Sequence, residues 1–226
     1  ENVFMGKQTS LDKFIDIMNA GHYVLRKIYG MSDQDAAYIR KAFCLLSMGK
    51  EEECAKTIGS MTTAERYAVA QYLRAIAYEH TKSFYLALTC YEKTVKLDIT
   101  VFDAHKKCAI ILSSDGKWNE SMVHFNELEK LNPEFLPTYN LRGVAYYNLK
   151  DYRKAIADFT TYIQKDTTNK EVFYNRGACY QDLGNLMTAV QDMVRAKDYR
   201  TLNFVALHKE VDRLLLKGDT ASLKSY

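Results

Sequence analysis

The chain has 226 residues and a formal net charge of +3, with 47% hydrophobic and 26% charged residues. That charge is too small to argue for a nucleic-acid or membrane-surface partner. No apolar run reaches the length of a membrane span, and only two prolines interrupt the chain, which suits helix nearly throughout.

Cys44, Cys54, Cys90, Cys108 and Cys179 are scattered, with no C-x-x-C pair and no histidine cluster nearby. This set reads as reduced thiols in an intracellular, cytoplasmic protein, packed as small apolar side chains on helices. No signal peptide is visible. Because the sequence opens on Glu1 without methionine, missing targeting signals say nothing about a parent protein.

Residues 1–10 lack periodicity and form an expected loose lead-in. Ser10 offers a helix N-cap, and Leu11, Phe14, Ile15, Met18, Tyr23, Leu25 and Ile28 supply an apolar face; Gly21 marks a break and Gly30 an end. Ser32 or Asp33 caps the next helix, which carries Ala36, Ala37, Ile39, Phe43, Leu45 and Leu46. Met48-Gly49-Lys50 is a turn, a shorter helix follows through Cys54, Ala55 and Ile58, and Thr62 or Thr63 starts another. Residues 11–67 thus read as irregular helices including one degenerate helical hairpin.

From Ala68 a 34-residue period locks in over four blocks: Ala68–Val101, Phe102–Phe135, Leu136–Asn169 and Lys170–Asn203. The eighth position holds Ala75, Ala109, Gly143 and Gly177, and the twentieth Ala87, Ser121, Ala155 and Ala189. Large residues stand at the eleventh (Tyr78, Leu112, Tyr146, Tyr180), seventeenth (Phe84, Trp118, Tyr152, Leu186) and twenty-fourth (Tyr91, Phe125, Phe159, Met193). Small residues at positions eight and twenty are expected where two helices cross closely, and the large ones fill the space around them. After the last block, Leu202, Val205, Leu207, Val211, Leu214 and Leu215 recur at helical spacing, predicting a capping helix over 204–217. Residues 218–226 read as a tail.

This period and pattern resemble the tetratricopeptide repeat, a helix–turn–helix unit that stacks into a solenoid. The resemblance implies an all-α fold, a right-handed superhelix of antiparallel helix pairs, acting as a non-enzymatic interaction module. It also implies that positions two, five, nine, twelve and thirteen of each first helix line a concave face. Here that stripe gives Val69, Tyr72, Ile76, Glu79 and His80, then Asp103, Lys106, Ile110, Ser113 and Ser114. Pro137, Asn140, Val144, Tyr147 and Asn148 follow, then Glu171, Tyr174, Ala178, Gln181 and Asp182. The candidate peptide-binding residues are Tyr72, Ile76, His80, Lys106, Ile110, Asn140, Val144, Tyr147, Asn148, Tyr174, Gln181 and Asp182. Tyrosine offers contact area with a polar tip, and asparagine can hold peptide backbone. The bland alternative is that the protein's own termini fill part of this face.

Where the family favours proline at position thirty-two, only Pro133 complies; Ile99, Thr167 and Thr201 stand elsewhere, so those helix ends rest on other turn signals such as Asn169. Arg74, Arg142 and Arg176 share position seven, and their expected role is structural, with the guanidinium reaching a neighbouring carboxylate or carbonyl. Ser113-Ser114-Asp115-Gly116 is read as an inter-helix turn rather than a reactive loop.

No catalytic, metal-ligand or phosphate-loop spacing occurs, so no cofactor and no enzymatic activity are expected. The carboxylate clamp used for heat-shock chaperone C-termini is disfavoured. Counted from Leu136, the clamp positions hold Asn140, Val144, Asn175, Val205 and Lys209, of which only Asn175 matches and Lys209 is a stand-in. From Phe102, Lys106 fits while Ile110 and Leu141 do not. The leading expectation is a peptide or partner helix in the concave groove. The alternatives are a structural scaffold subunit of a transport, ciliary or secretion complex, with contacts near Tyr23, Tyr29 and Tyr38, and, least supported, a helical-repeat RNA binder.

Overall fold

The computed structural model describes Leu25, Arg26 and residues 30–217 except 199. The expected lead-in, the first helical stretch with Gly21, Tyr23 and Tyr29, and the tail after 217 lie outside the described residues. Among the described residues there are eleven α-helices and no strand: α1 Asp33–Ser47, α2 Glu51–Gly59, α3 Ala68–His80, α4 Phe84–Leu97, α5 Phe102–Ser114 and α6 Trp118–Leu131, then α7 Pro137–Asn148, α8 Tyr152–Lys165, α9 Lys170–Asp182, α10 Leu186–Ala196 and α11 Phe204–Leu216. They form two compact units, one ending at Leu131 and the other starting at Asn132. None is long and apolar enough to cross a membrane.

Helices pair through one recurring turn. Gly49, Lys82, Gly116, Lys150 and Gly184 sit between the two helices of successive pairs, and all have positive φ, from +59 to +78. Each turn closes with an N–H five residues on from its acceptor: Lys50 to Leu45, Ser83 to Tyr78, Lys117 to Leu112, Asp151 to Tyr146 and Asn185 to Tyr180, at 2.8–2.9 Å. That bond ties down carbonyls left over at the helix end. Gly116 confirms the expected turn at 113–116. The stretch after Thr62 forms a single 3-10 turn, Ala64–Arg66, rather than a further helix.

The second helices α4 and α8 stop without proline, and α6 with Pro133 two residues beyond its end. Asp98 and Asp166 accept from the backbone N–H of Thr100 and Thr168 at 2.9 and 2.8 Å, and Asn132 accepts from that of Glu134 at 3.1 Å. The side-chain acceptor offers the chain a turn in place of another helical bond. Asn169, read from sequence as a helix stop, is instead the N-cap of α9, accepting from Glu171 N.

In the first unit, Tyr72 and Tyr91 meet edge to face at 5.9 Å, among fully buried Ile39, Ile58, Leu112 and Phe125. Their hydroxyls are not orphaned: Tyr72 donates to Asp103 and Tyr91 to Glu79, each at 2.6 Å. Tyr38 packs against this core. Four of the five cysteines are buried, and burial pushes the thiols of Cys54 and Cys179 up to about 11 and 12.

His105 and His124 form a buried pair, Nδ1 to Nδ1 at 3.0 Å. The Nε2 of His105 lies 3.1 Å from the Ile99 carbonyl, which can only accept. His105 therefore carries its proton on Nε2, and His124 donates from Nδ1. Desolvation holds both rings below the usual histidine range, His124 at about 4 with His105 adding repulsion; Glu127 opposes the shift at His105.

The helix crossing differs from expectation in one detail. A Cβ on Gly143 would sit 2.6 Å from the ring of Phe159, at position twenty-four, not against position twenty. At Gly177 it would meet the Ala189 carbonyl, Asp192 Cβ and Met193 Cγ at 3.2–3.3 Å. Two arginines of the position-seven series answer carboxylates sixteen residues on. Arg142 grips Asp158 through Nε and Nη2, both at 2.8 Å, and Arg176 grips Asp192 at 2.7 and 2.8 Å. Arg74 has Cys90 at the matching position and turns to the Tyr78 hydroxyl.

Gly177→Leu is expected to lower stability by about 1–3 kcal/mol through overpacking, read as a shifted urea midpoint. Asp158→Ala strands Arg142 and should cost about 3–5 kcal/mol, whereas Arg142→Met/Asp158→Leu should be near neutral; a double-mutant cycle by urea unfolding measures the difference. Because both histidines bind protons more weakly folded than unfolded, their contribution is complete above about pH 6.5 and is lost as pH falls toward about 4. The thermal midpoint should drop across that window, and His124→Phe should flatten the drop.

Candidate functional site

In the first unit four of the five candidate binding residues are engaged within the chain. Tyr72 is 1% exposed and bonded to Asp103, so it is a core residue rather than a groove residue. Ile76 packs against the core. Lys106 is paired with Asp103 at 2.5 Å, and His80 with Glu51 at 3.2 Å. Ile110 alone of the five is an exposed apolar side chain, at 39%.

The second unit is different. On α7, Asn140 is half-buried and its Oδ1 has no hydrogen-bond partner. Val144, one turn on, packs partly against the core, as do Tyr147 and Tyr174. Asn148 is turned back on its own helix, its Nδ2 donating to the Val144 carbonyl at 2.8 Å. Tyr147 and Tyr152 lie ring to ring at 5.5 Å, with the Asp182 side chain near both phenols. Partial burial, with Asp182 beside it, pushes the Tyr147 phenol up to about 12. Tyr152 was read from sequence only as packing; its place beside this cluster follows from its position at the start of α8, next to the turn.

Asp182 and Glu171 are exposed at opposite ends of α9. Tyr174 and Gln181 are not open. The Arg200 guanidinium lies over the Tyr174 ring at 5.4 Å, and Gln181 Oε1 accepts from the Asn203 backbone N–H at 2.9 Å. The segment before α11 therefore covers part of α9; it is a linker between two helices, not the chain terminus expected as the alternative occupant. A shallow pocket beside it is lined by Lys170, Glu171, Tyr174, Ala196, Asp198 and Arg200. Among the described residues no three His, Cys, Asp or Glu side chains gather as metal ligands would.

The capping helix is only half applied. Leu202 and Leu214 are buried, but Val205 and Leu215, expected on the same covered face, are 68% and 54% exposed, with Phe204 and Leu216 also outside. Its apolar residues therefore divide between two faces.

Sequence models of the family described as Tetratricopeptide repeat match residues 136–164 and 159–191. A UDP-N-acetylglucosamine--peptide N-acetylglucosaminyltransferase of Giardia intestinalis is 32% identical over 83 residues, 37% of this chain. The match spans 6% of that protein's length. Among solved structures, YrrB, described as a TPR protein with an unusual peptide-binding site, superposes with a TM-score of 0.65 at 19% identity, covering 76% of this chain and 90% of its own. MamA from Desulfovibrio magneticus RS-1 gives 0.63 at 18%, covering 74% and 95%. Residues 136–191 are thus tetratricopeptide repeats, and the chain shares the fold of tetratricopeptide-repeat proteins.

Proposed function

We propose that the chain is a non-enzymatic protein-interaction module that binds a peptide or helix of a partner on the face made by α7 and α9. The observation that carries this is Tyr147, half-buried against the second unit's core beside Val144, ring to ring with Tyr152 at 5.5 Å and on the same face of α7 as Asn140. Its apolar body gives contact area, and the packing against Tyr152 holds the ring in place before a partner arrives.

The description of YrrB as having a peptide-binding site supports this class of function for the same fold. The transferase match does not carry its catalytic activity across, since so small a share of that protein is represented. The clamp residues for acidic chaperone tails are missing by residue type, so the favoured partner is not of that kind, and the stripe offers little basic charge for RNA.

Affinity purification on immobilised protein, comparing wild type with Asn140→Ala/Tyr147→Ala, tests the reading. Recovery of the specific partner should fall at least about tenfold, corresponding to a hot-spot pair worth on the order of 1.4 kcal/mol or more. Equal recovery, with the helical circular dichroism unchanged, would move the interaction away from this face.

A further inference from the structure

Helices α4, α6 and α8 end at Leu97, Leu131 and Lys165, 34 residues apart. The same spacing would carry α10 to position 199, yet it stops at Ala196, where Lys197 turns left-handed at φ +56. The next helix nevertheless starts on the period, at Phe204. Lys197, Asp198 and residues 200–203 are thereby released from the helix without any insertion.

The path of this linker is marked by its contacts. Its start lies by the first turn of α9, where Asp198 and Arg200 share a pocket with Lys170 and Glu171. Arg200 then lies over Tyr174, and Asn203 reaches Gln181 in the last turn of the same helix. Between these contacts the chain turns at Arg200 and Thr201. Leu202, between those two contacts, is 8% exposed. The arginine is held in shape by Asp198, whose carboxylate takes Nε and Nη2 at 3.0 and 2.6 Å. An aromatic under a guanidinium, an amide oxygen for a backbone N–H, and a buried leucine between them are elements of peptide recognition.

We infer that Asp198, Arg200, Leu202 and Asn203 form a built-in pseudo-ligand on α9, and that the peptide this face accepts carries an arginine followed two residues later by leucine. The inference rests on the binding face proposed above. The positive side chain suits the exposed carboxylates of Glu171 and Asp182, and the bound strap lowers the apparent affinity for any peptide in trans, because it must leave first.

The probe is a fluorescein-labelled synthetic peptide copying residues 197–204, titrated by fluorescence polarisation against the full chain. The Arg200 side chain is 79% exposed, so Arg200→Glu weakens the strap without touching the core. It should raise affinity for the peptide about two- to fivefold over wild type, and Arg200→Glu/Leu202→Ser about tenfold or more. Adding Tyr174→Ala to Arg200→Glu should remove the gain, and a scrambled peptide should bind none of the variants. Equal affinity for wild type and Arg200→Glu, or equal binding of the scrambled peptide, overturns the inference. If that happens while Asn140→Ala/Tyr147→Ala still loses the partner, the pseudo-ligand alone has failed; if both fail, the binding face has failed with it.

Discussion

Everything in the paired helices depends on one close approach, where the first helix passes over a large side chain of the second. At Gly143 the hydrogen of a glycine faces the Phe159 ring at a separation no methyl group would tolerate. That contact fixes how near the axes come, and so which residues sit within reach of each other. The arginine one residue earlier then meets the aspartate one residue before the phenylalanine, so Arg142 and Asp158 are neighbours as a result of the same crossing. Repeating it at Gly177 and Met193 repeats the ion pair at Arg176 and Asp192. In the first unit alanine takes the glycine position, and the polar partners change with it: Arg74 turns to Tyr78, and His124 to His105.

The period of 34 and the small-against-large pattern made the helices and their pairing legible, because burial of a repeated face leaves a repeated trace in sequence. Less legible were features that depend on a residue's partner rather than its type. Tyr72 occupies a stripe position yet lies in the core, since Asp103 of the next pair offers its hydroxyl a bond. Lys82 and Lys150 adopt the backbone conformation that Gly116 and Gly184 advertise openly. The aspartates that stop α4 and α8 were visible as residues, but attention to the family's proline concealed them. Nor could spacing alone reveal that α10 would end early, since α11 restarts on the period as though nothing had changed.

The two units use the same helices to different ends. In the first, Glu79, Asp103, Lys106 and Lys107 neutralise one another, and the corresponding face is chemically quiet. In the second, Tyr147 and Tyr152 meet at 5.5 Å beside the exposed Asp182, so aromatic surface and an acidic side chain stand together on one side. A shared fold thus accounts for shape, and a handful of side chains accounts for why one face would recognise a partner and the other would not.

The lysines at the left-handed turns have a consequence for the history of the chain. A non-glycine residue pays roughly 1 kcal/mol to sit there, and both side chains are exposed. Nothing in the core compels lysine at these corners, and glycine serves in the turns on either side. Positions 82 and 150 are therefore slack in the molecule: sites where sequence can drift between charge and backbone ease while every helix keeps its place.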